Sequence, residues 1–216
     1  MNNSSASAGR IMARRIVQLA VGLFLYGMAI ALMVRASVGV APWDVLTLGI
    51  EKQTGLPFGL ITFLVSLVVI ALWIPIRQKP GIGTVANALL VGPFAQLGLA
   101  IIPPIDGLVW EILVFAAGLI VLAIATGLYI GARFGPGPRD GLMTGINARW
   151  GWKIWKVRTG IEVVVLGIGW ALGGNVGFGT LAFAFLIGPL VNITIPRMRV
   201  PLPAAPPEPV TVVEPA

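Results

Sequence analysis

Predominantly apolar stretches of eighteen residues or more recur along this chain, and nothing else in it limits the fold so severely. Ile16 to Val34 and Leu108 to Ala132 are two of them. Each is long enough to cross a hydrocarbon core about 30 Å thick as a helix. Backbone in hydrocarbon must satisfy its own N–H and C=O groups, which leaves helices or a closed barrel. A barrel would show alternating segments of about ten residues, whereas these runs are longer and do not alternate. Only 11% of residues are charged, against about 25% in soluble domains. Such a chain cannot clothe a surface facing water.

Six spans are expected, at about Ile16–Val34, Phe58–Ile76, Thr84–Ile102, Leu108–Ala132, Ile154–Gly173 and Phe178–Ile195. The fifth is short in clean apolar sequence, and Lys153, Lys156, Arg158, Trp150, Trp152 and Trp155 crowd its start. That mixture suits a cytoplasmic interface. With the amino terminus inside, thirteen of the fifteen basic residues fall on the cytoplasmic side, and only Arg35 and Lys52 fall outside. Both termini are then cytoplasmic by the positive-inside rule. The net charge of +7 reads as loop charge that fixes topology, not as a nucleic-acid surface. The first apolar run exceeds the 7–15 residues of a signal peptide, so it reads as a retained helix. Residues 1–10 are expected to be disordered, and residues 200–216 form a Pro-rich tail.

Sliding the chain by 96 residues exposes a duplication. Seven of the ten glycines between Val17 and Ile101 land on glycine, where chance predicts about one. Pro42 falls on Pro138, Asp44 on Asp140, Thr84 on Thr180 and Pro93 on Pro189. Apolar bias cannot align these residue types, so the chain reads as a tandem repeat of residues 11–104 and 105–199. Three spans per unit is an odd number, so the second copy enters the membrane upside down. The expected fold is therefore all-α, with six transmembrane helices in two inverted-topology repeats. In transporters built this way, sites lie between the halves.

Both copies carry Gly-x-x-Pro-x-Asp after a span, as GVAPWD at Gly39–Asp44 and GPGPRD at Gly135–Asp140. Glycine permits the turn and proline suits the first turn of a helix. The acid then sits near unpaired N–H groups at the positive end of the helix dipole. Short helices are expected at about Pro42–Gln53 and Pro138–Trp150. At about 18–20 Å each they are too short to span, so they lie at the interface or dip in as half-helices. On the second, Asp140, Thr144 and Asn147 share a face.

These residues resemble a known group. VRASVGVAPWDVL, TGLPFG, WIPIRQKPGIGT and GPRDGLMTG are similar to the YczE-type membrane proteins of the YczE/YyaS/YitT family, over about residues 12–197. The resemblance implies a bacterial multi-pass inner-membrane protein. It brings no ligand or activity with it.

The candidate pathway or ligand-binding residues are Asp44, Asp140, Glu162, Gly39, Pro42, Gly135, Pro138, Arg139, Thr144 and Asn147. Asp44 and Asp140 have two readings. Each caps its helix, worth about 0.5–2 kcal/mol, or the two line a pathway that binds a cation, a proton or a basic group. Glu162 lies inside a span, where an ionisable residue is a functional candidate, but Arg158 four residues earlier offers a structural ion pair. Gly81-Ile-Gly83-Thr84 and Gly177-Phe-Gly179-Thr180 read as tight helix starts. They lack the lysine of a phosphate-binding loop.

With no Cys and no His, thiolate chemistry and the commonest general base are missing. No enzyme, cofactor or metal site is expected. Two functions remain: movement of a small solute or ion between the halves, or a non-transporting regulator or assembly partner of another envelope or secretion system.

Overall fold

The computed structural model describes residues 3–201. Within them the chain is all helical, in the order α1 (Asn3–Arg35), α2 (Pro42–Thr54), α3 (Phe58–Ala71), α4 (Trp73–Ile76), α5 (Ile82–Ile101), α6 (Leu108–Gly131), α7 (Pro138–Trp150), α8 (Ile154–Ala171) and α9 (Phe178–Met198). Helix α1 reaches back to Asn3, over residues expected to be disordered. Extending a formed helix fixes one residue per added hydrogen bond, so propagation is cheap once the apolar part is folded. All but the first two residues of the tail expected over 200–216 lie outside the described residues.

Five helices are long and apolar enough to cross a membrane: Gly9–Arg35, Phe58–Ile76, Ile82–Ile101, Leu108–Gly131 and Phe178–Met198. Six were expected. The missing one is α8, which carries Lys156, Arg158 and Glu162 among its 18 residues. Three charges within one span are costly in hydrocarbon, so α8 does not qualify on composition. The second crossing helix bends between α3 and α4. Pro75 removes a helical N–H and its ring crowds the preceding turn, so the helix breaks at Leu72.

The centre of the bundle is α1 packed along α6, with α5 against α1 and α9 against α6. Leu23, Ile30, Met33, Val40, Phe58 and Tyr129 are fully buried there. A second, smaller cluster joins Trp43, Val69, Trp73, Ile76, Leu142 and Val165 around the short helices. Many large apolar side chains face outward, among them Val17, Val68, Leu113, Leu181 and Phe185. In water this would be an aggregating surface; in a bilayer it is the lipid-contacting face.

Positions 96 residues apart make matching contacts. Gly83 N donates to Phe134 O at 2.9 Å, and Gly179 N donates to Val38 O at 2.7 Å. Gly39 has φ +111° and Gly135 φ +116°, a region that side chains rarely adopt. A Cβ on Gly39 would lie 2.7 Å from Gly177 N, and one on Gly135 would lie 3.2 Å from Gly81 Cα. The short helices also end alike, on left-handed Gly55 and Gly151 with φ of 72° and 70°.

The matching is not complete. Helix α3 packs along α5, yet no comparable packing joins their counterparts α8 and α9 among the described residues. Residue chemistry explains this. Gly59 and Gly92 let the backbones of α3 and α5 meet, since a Cβ on Gly92 would lie 2.3 Å from Gly59 O. Ninety-six residues later stand Trp155 and Gly188. The bulky indole replaces one of the two glycines, and Gly188 has nothing near its Cβ position.

Candidate functional site

The turn–proline–helix geometry brings the amino ends of α2 and α7 together inside the bundle. Pro42 and Pro138 occupy the first turns as expected, behind Ala41 and Gly137 in extended conformation. Neither helix has a side-chain cap. Asp44 and Asp140, two residues beyond each proline, do not supply one either.

Instead, both carboxylates line one cavity of about 300 Å³. Its polar wall also includes Arg139, Arg158, Glu162, Thr144, Asn87, Thr62, Ser66 and Thr126. Tyr26, Tyr129, Trp43 and Phe183 supply aromatic surface, and α9 contributes positions from Phe183 to Ile195. The volume is at the lower edge of the roughly 300–1,000 Å³ usual for small-molecule sites.

Three polar contacts organise the cavity. Tyr129 OH donates to Asp140 Oδ2. Arg158 Nε donates to Glu162 Oε1 at 2.9 Å, one helical turn away on α8. Arg139 Nη1 lies 3.8 Å from Asp44 Oδ1, close enough for an ion pair but too far for a hydrogen bond. The Arg139 guanidinium also sits 4.9 Å from the centre of the Trp43 ring, within cation–π range. Residues 43 and 139 are themselves 96 apart, so equivalent positions of the two motifs touch each other.

Asp44 is 1% exposed, and its Oδ1 accepts no hydrogen bond. Burial of a polar group without a partner is expensive. Trp43 Nε1 and Thr62 Oγ1, on neighbouring cavity-lining residues, also lack partners. Asp44 belongs to α2, outside the five crossing helices. Burial pushes its carboxyl up from 3.8 to about 6, and the Arg139 guanidinium opposes that rise. The site therefore holds an acceptor, a donor and a hydroxyl whose hydrogen-bonding capacity is unused.

Of the residues singled out from sequence, Asp44, Asp140, Glu162, Pro138, Arg139 and Thr144 line the cavity. Gly39, Gly135, Pro42 and Asn147 do not. The two glycines form the reciprocal helix-start contacts, and Pro42 is buried at the first turn of α2. Asn147 Nδ2 donates to Trp152 O at 2.7 Å and ties down the turn into α8. Thr84 and Thr180 accept from Gly81 N and Gly177 N at 3.1 and 3.3 Å, closing the tight helix starts.

Sequence reasoning passed over Tyr26, Tyr129, Trp43, Thr62, Ser66 and Thr126. A signal was present for some of them. Thr62 and Ser66 stand one turn apart in an apolar span, as do Thr126 and Tyr129. Polar groups at helical spacing inside such a span mark an inward face.

The fold and cavity thus define a multi-span helical membrane protein whose interior polar site is built from two copies of one motif. The chain belongs to the family of unknown function DUF6198, which matches residues 13–196. It is 36% identical over 170 residues to an uncharacterized protein of Haemophilus influenzae, covering 79% of this chain and 78% of the relative. It is 30% identical over 178 residues to the uncharacterized membrane protein YczE of Bacillus subtilis, covering 82% and 83%. The uncharacterized protein YyaS of the same organism is 26% identical over 180 residues, covering 82% and 90%. No solved structure matches the chain.

Proposed function

We propose that the protein moves a small solute or ion across the bacterial cytoplasmic membrane, with both termini inside and the cavity as its pathway. No chemistry on the solute is involved. The observation that carries this reading is that Asp44 of the first motif walls the same cavity as Arg139 and Asp140 of the second. Inverted-repeat transporters build their sites at such a junction.

The reading counts α8 as a sixth span. Its support is that Arg158 and Glu162 pair with each other and line the cavity, so they need not meet lipid. The two units would then be inverted three-helix repeats, as the reciprocal contacts across the 96-residue offset suggest. The unpacked side between α8 and α9, near Arg158 and Ile195, would be the cytoplasmic opening. Alternating access would close α8 onto α9 and part α3 from α5.

The test is a ligand screen by thermal shift on purified protein, followed by uptake into proteoliposomes. Asp44→Asn and Asp140→Asn should abolish uptake of a binding solute while the protein stays folded. Normal uptake by both variants would overturn the pathway. Binding and uptake absent for every solute, with a partner protein lost from Asp44→Asn, would establish the non-transporting role instead.

A further inference from the structure

A second cavity lies between α3 and α8, which do not pack on each other among the described residues. It measures about 1130 Å³, beyond the roughly 300–1,000 Å³ of ordinary small-molecule sites. Its walls are apolar, with Leu64 and Val68 on α3, Leu72 just past its end, and Ile161, Val164 and Ile168 on α8. Along α8 it runs from Lys153 to Ile168, about 22 Å, reaching past the roughly 15 Å depth of one leaflet. Trp43 lines both this cleft and the polar cavity.

The cleft is charged at one end only. Lys153 and Lys156 line it beside Trp152, and no acidic residue among those described does. Both lysines are exposed and neither forms an ion pair with a described residue. Lys156 Nζ lies 5.6 Å from the centre of the Trp155 ring, an arrangement typical of the headgroup level. On the topology above, this end faces the cytoplasmic leaflet, whose lipids carry negative charge.

We propose that the α3–α8 cleft binds one anionic phospholipid of the cytoplasmic leaflet, with its acyl chains between the helices and its phosphate between Lys153 and Lys156. A neutral lipid would fill the groove equally well, so the lysines supply the selectivity. The occupied cleft would hold α3 and α8 apart and brace Trp43 from behind, on the ring that Arg139 covers from the cavity. The site depends on the sidedness of α8 but not on transport.

Native mass spectrometry of the full chain tests it, using phosphatidylglycerol and phosphatidylcholine as probes. One phosphatidylglycerol should be retained where phosphatidylcholine is lost. Each lysine near an anionic surface contributes roughly a fivefold preference, so Lys153→Gln with Lys156→Gln should lower retention by about 25- to 30-fold. Gly160 lines the cleft and has nothing within 4 Å of its Cβ position. Gly160→Phe should therefore fill the groove and displace the phosphatidylglycerol without unfolding the protein. Equal retention of the two lipids, or selectivity unchanged in the double lysine variant, would overturn the proposal. So would a dimer that Gly160→Phe dissociates, because the cleft would then belong to a second copy. Loss of uptake in Asp44→Asn bears on the transport pathway alone and leaves this result untouched.

Discussion

Asp44 shows why a buried acid can be worth its cost. Its carboxylate is desolvated more than the Arg139 guanidinium compensates, which is why its carboxyl rises to about 6. Stability linked to this group is complete below the unfolded value of 3.8 and is lost as pH rises through the folded value. Asp44→Asn is neutral at every pH, so its Tm should match the native protein near pH 4 and exceed it above pH 7. Thermal unfolding in detergent across that range checks the sign; a lower Tm at pH 8 would mean that Arg139 depends on the carboxylate more than the carboxylate suffers from burial. Such a stability deficit fits a residue retained for binding. Gly39 and Gly135 act differently. Alanine at either must adopt a positive φ, which costs about 1–3 kcal/mol. Both variants should lose Tm. Gly39→Ala should lose more, because its Cβ would approach backbone at 2.7 Å against 3.2 Å for Gly135→Ala. The sequence exposed the motif but not this division of labour. A turn glycine and a cavity acid five residues apart look equally important until the neighbours they meet are known.

At the scale of elements, the two units share a plan and differ in one interface. Pro93 and Pro189 lie inside α5 and α9 at equivalent positions, and Thr84 and Thr180 close equivalent helix starts. Yet Gly92 abuts the α3 backbone, while Gly188 faces open space. Gly92→Ala should destabilise by about 1–3 kcal/mol through overpacking, whereas Gly188→Ala meets no neighbour and should gain up to about 1 kcal/mol of helix propensity. Paired Tm measurements check this, and equal effects would show that α9 is closed on α8 in solution. The expected short helices appear within one residue at each end, because proline and glycine fix backbone locally. Helix α8 was harder to assign. Composition alone cannot say whether Lys156, Arg158 and Glu162 meet lipid, water or one another; only packing separates the exposed lysine from the cavity-lining pair.

For the whole molecule, the inverted arrangement proposed above makes a plain prediction about sidedness. The chain has no cysteine, so a single introduced thiol reports one position. Thr54→Cys and Trp152→Cys, both at exposed sites, should react with an impermeant maleimide from opposite sides of the membrane: the first from outside intact cells, the second only after permeabilisation. Labelling from the same side would remove the inverted topology and the pathway along its seam. The amino-acid sequence alone determined that the chain is helical and membrane-embedded, because long, non-alternating apolar runs leave the backbone no other way to satisfy itself in hydrocarbon. It also revealed the repeat and its turns, since glycine and proline act on the chain where they stand. Only the tertiary structure decided that Asp44, Arg139 and Asp140 share one cavity, and that α8 stands clear of α9. Those facts depend on which surfaces meet across about a hundred residues of chain, and no local preference encodes that meeting.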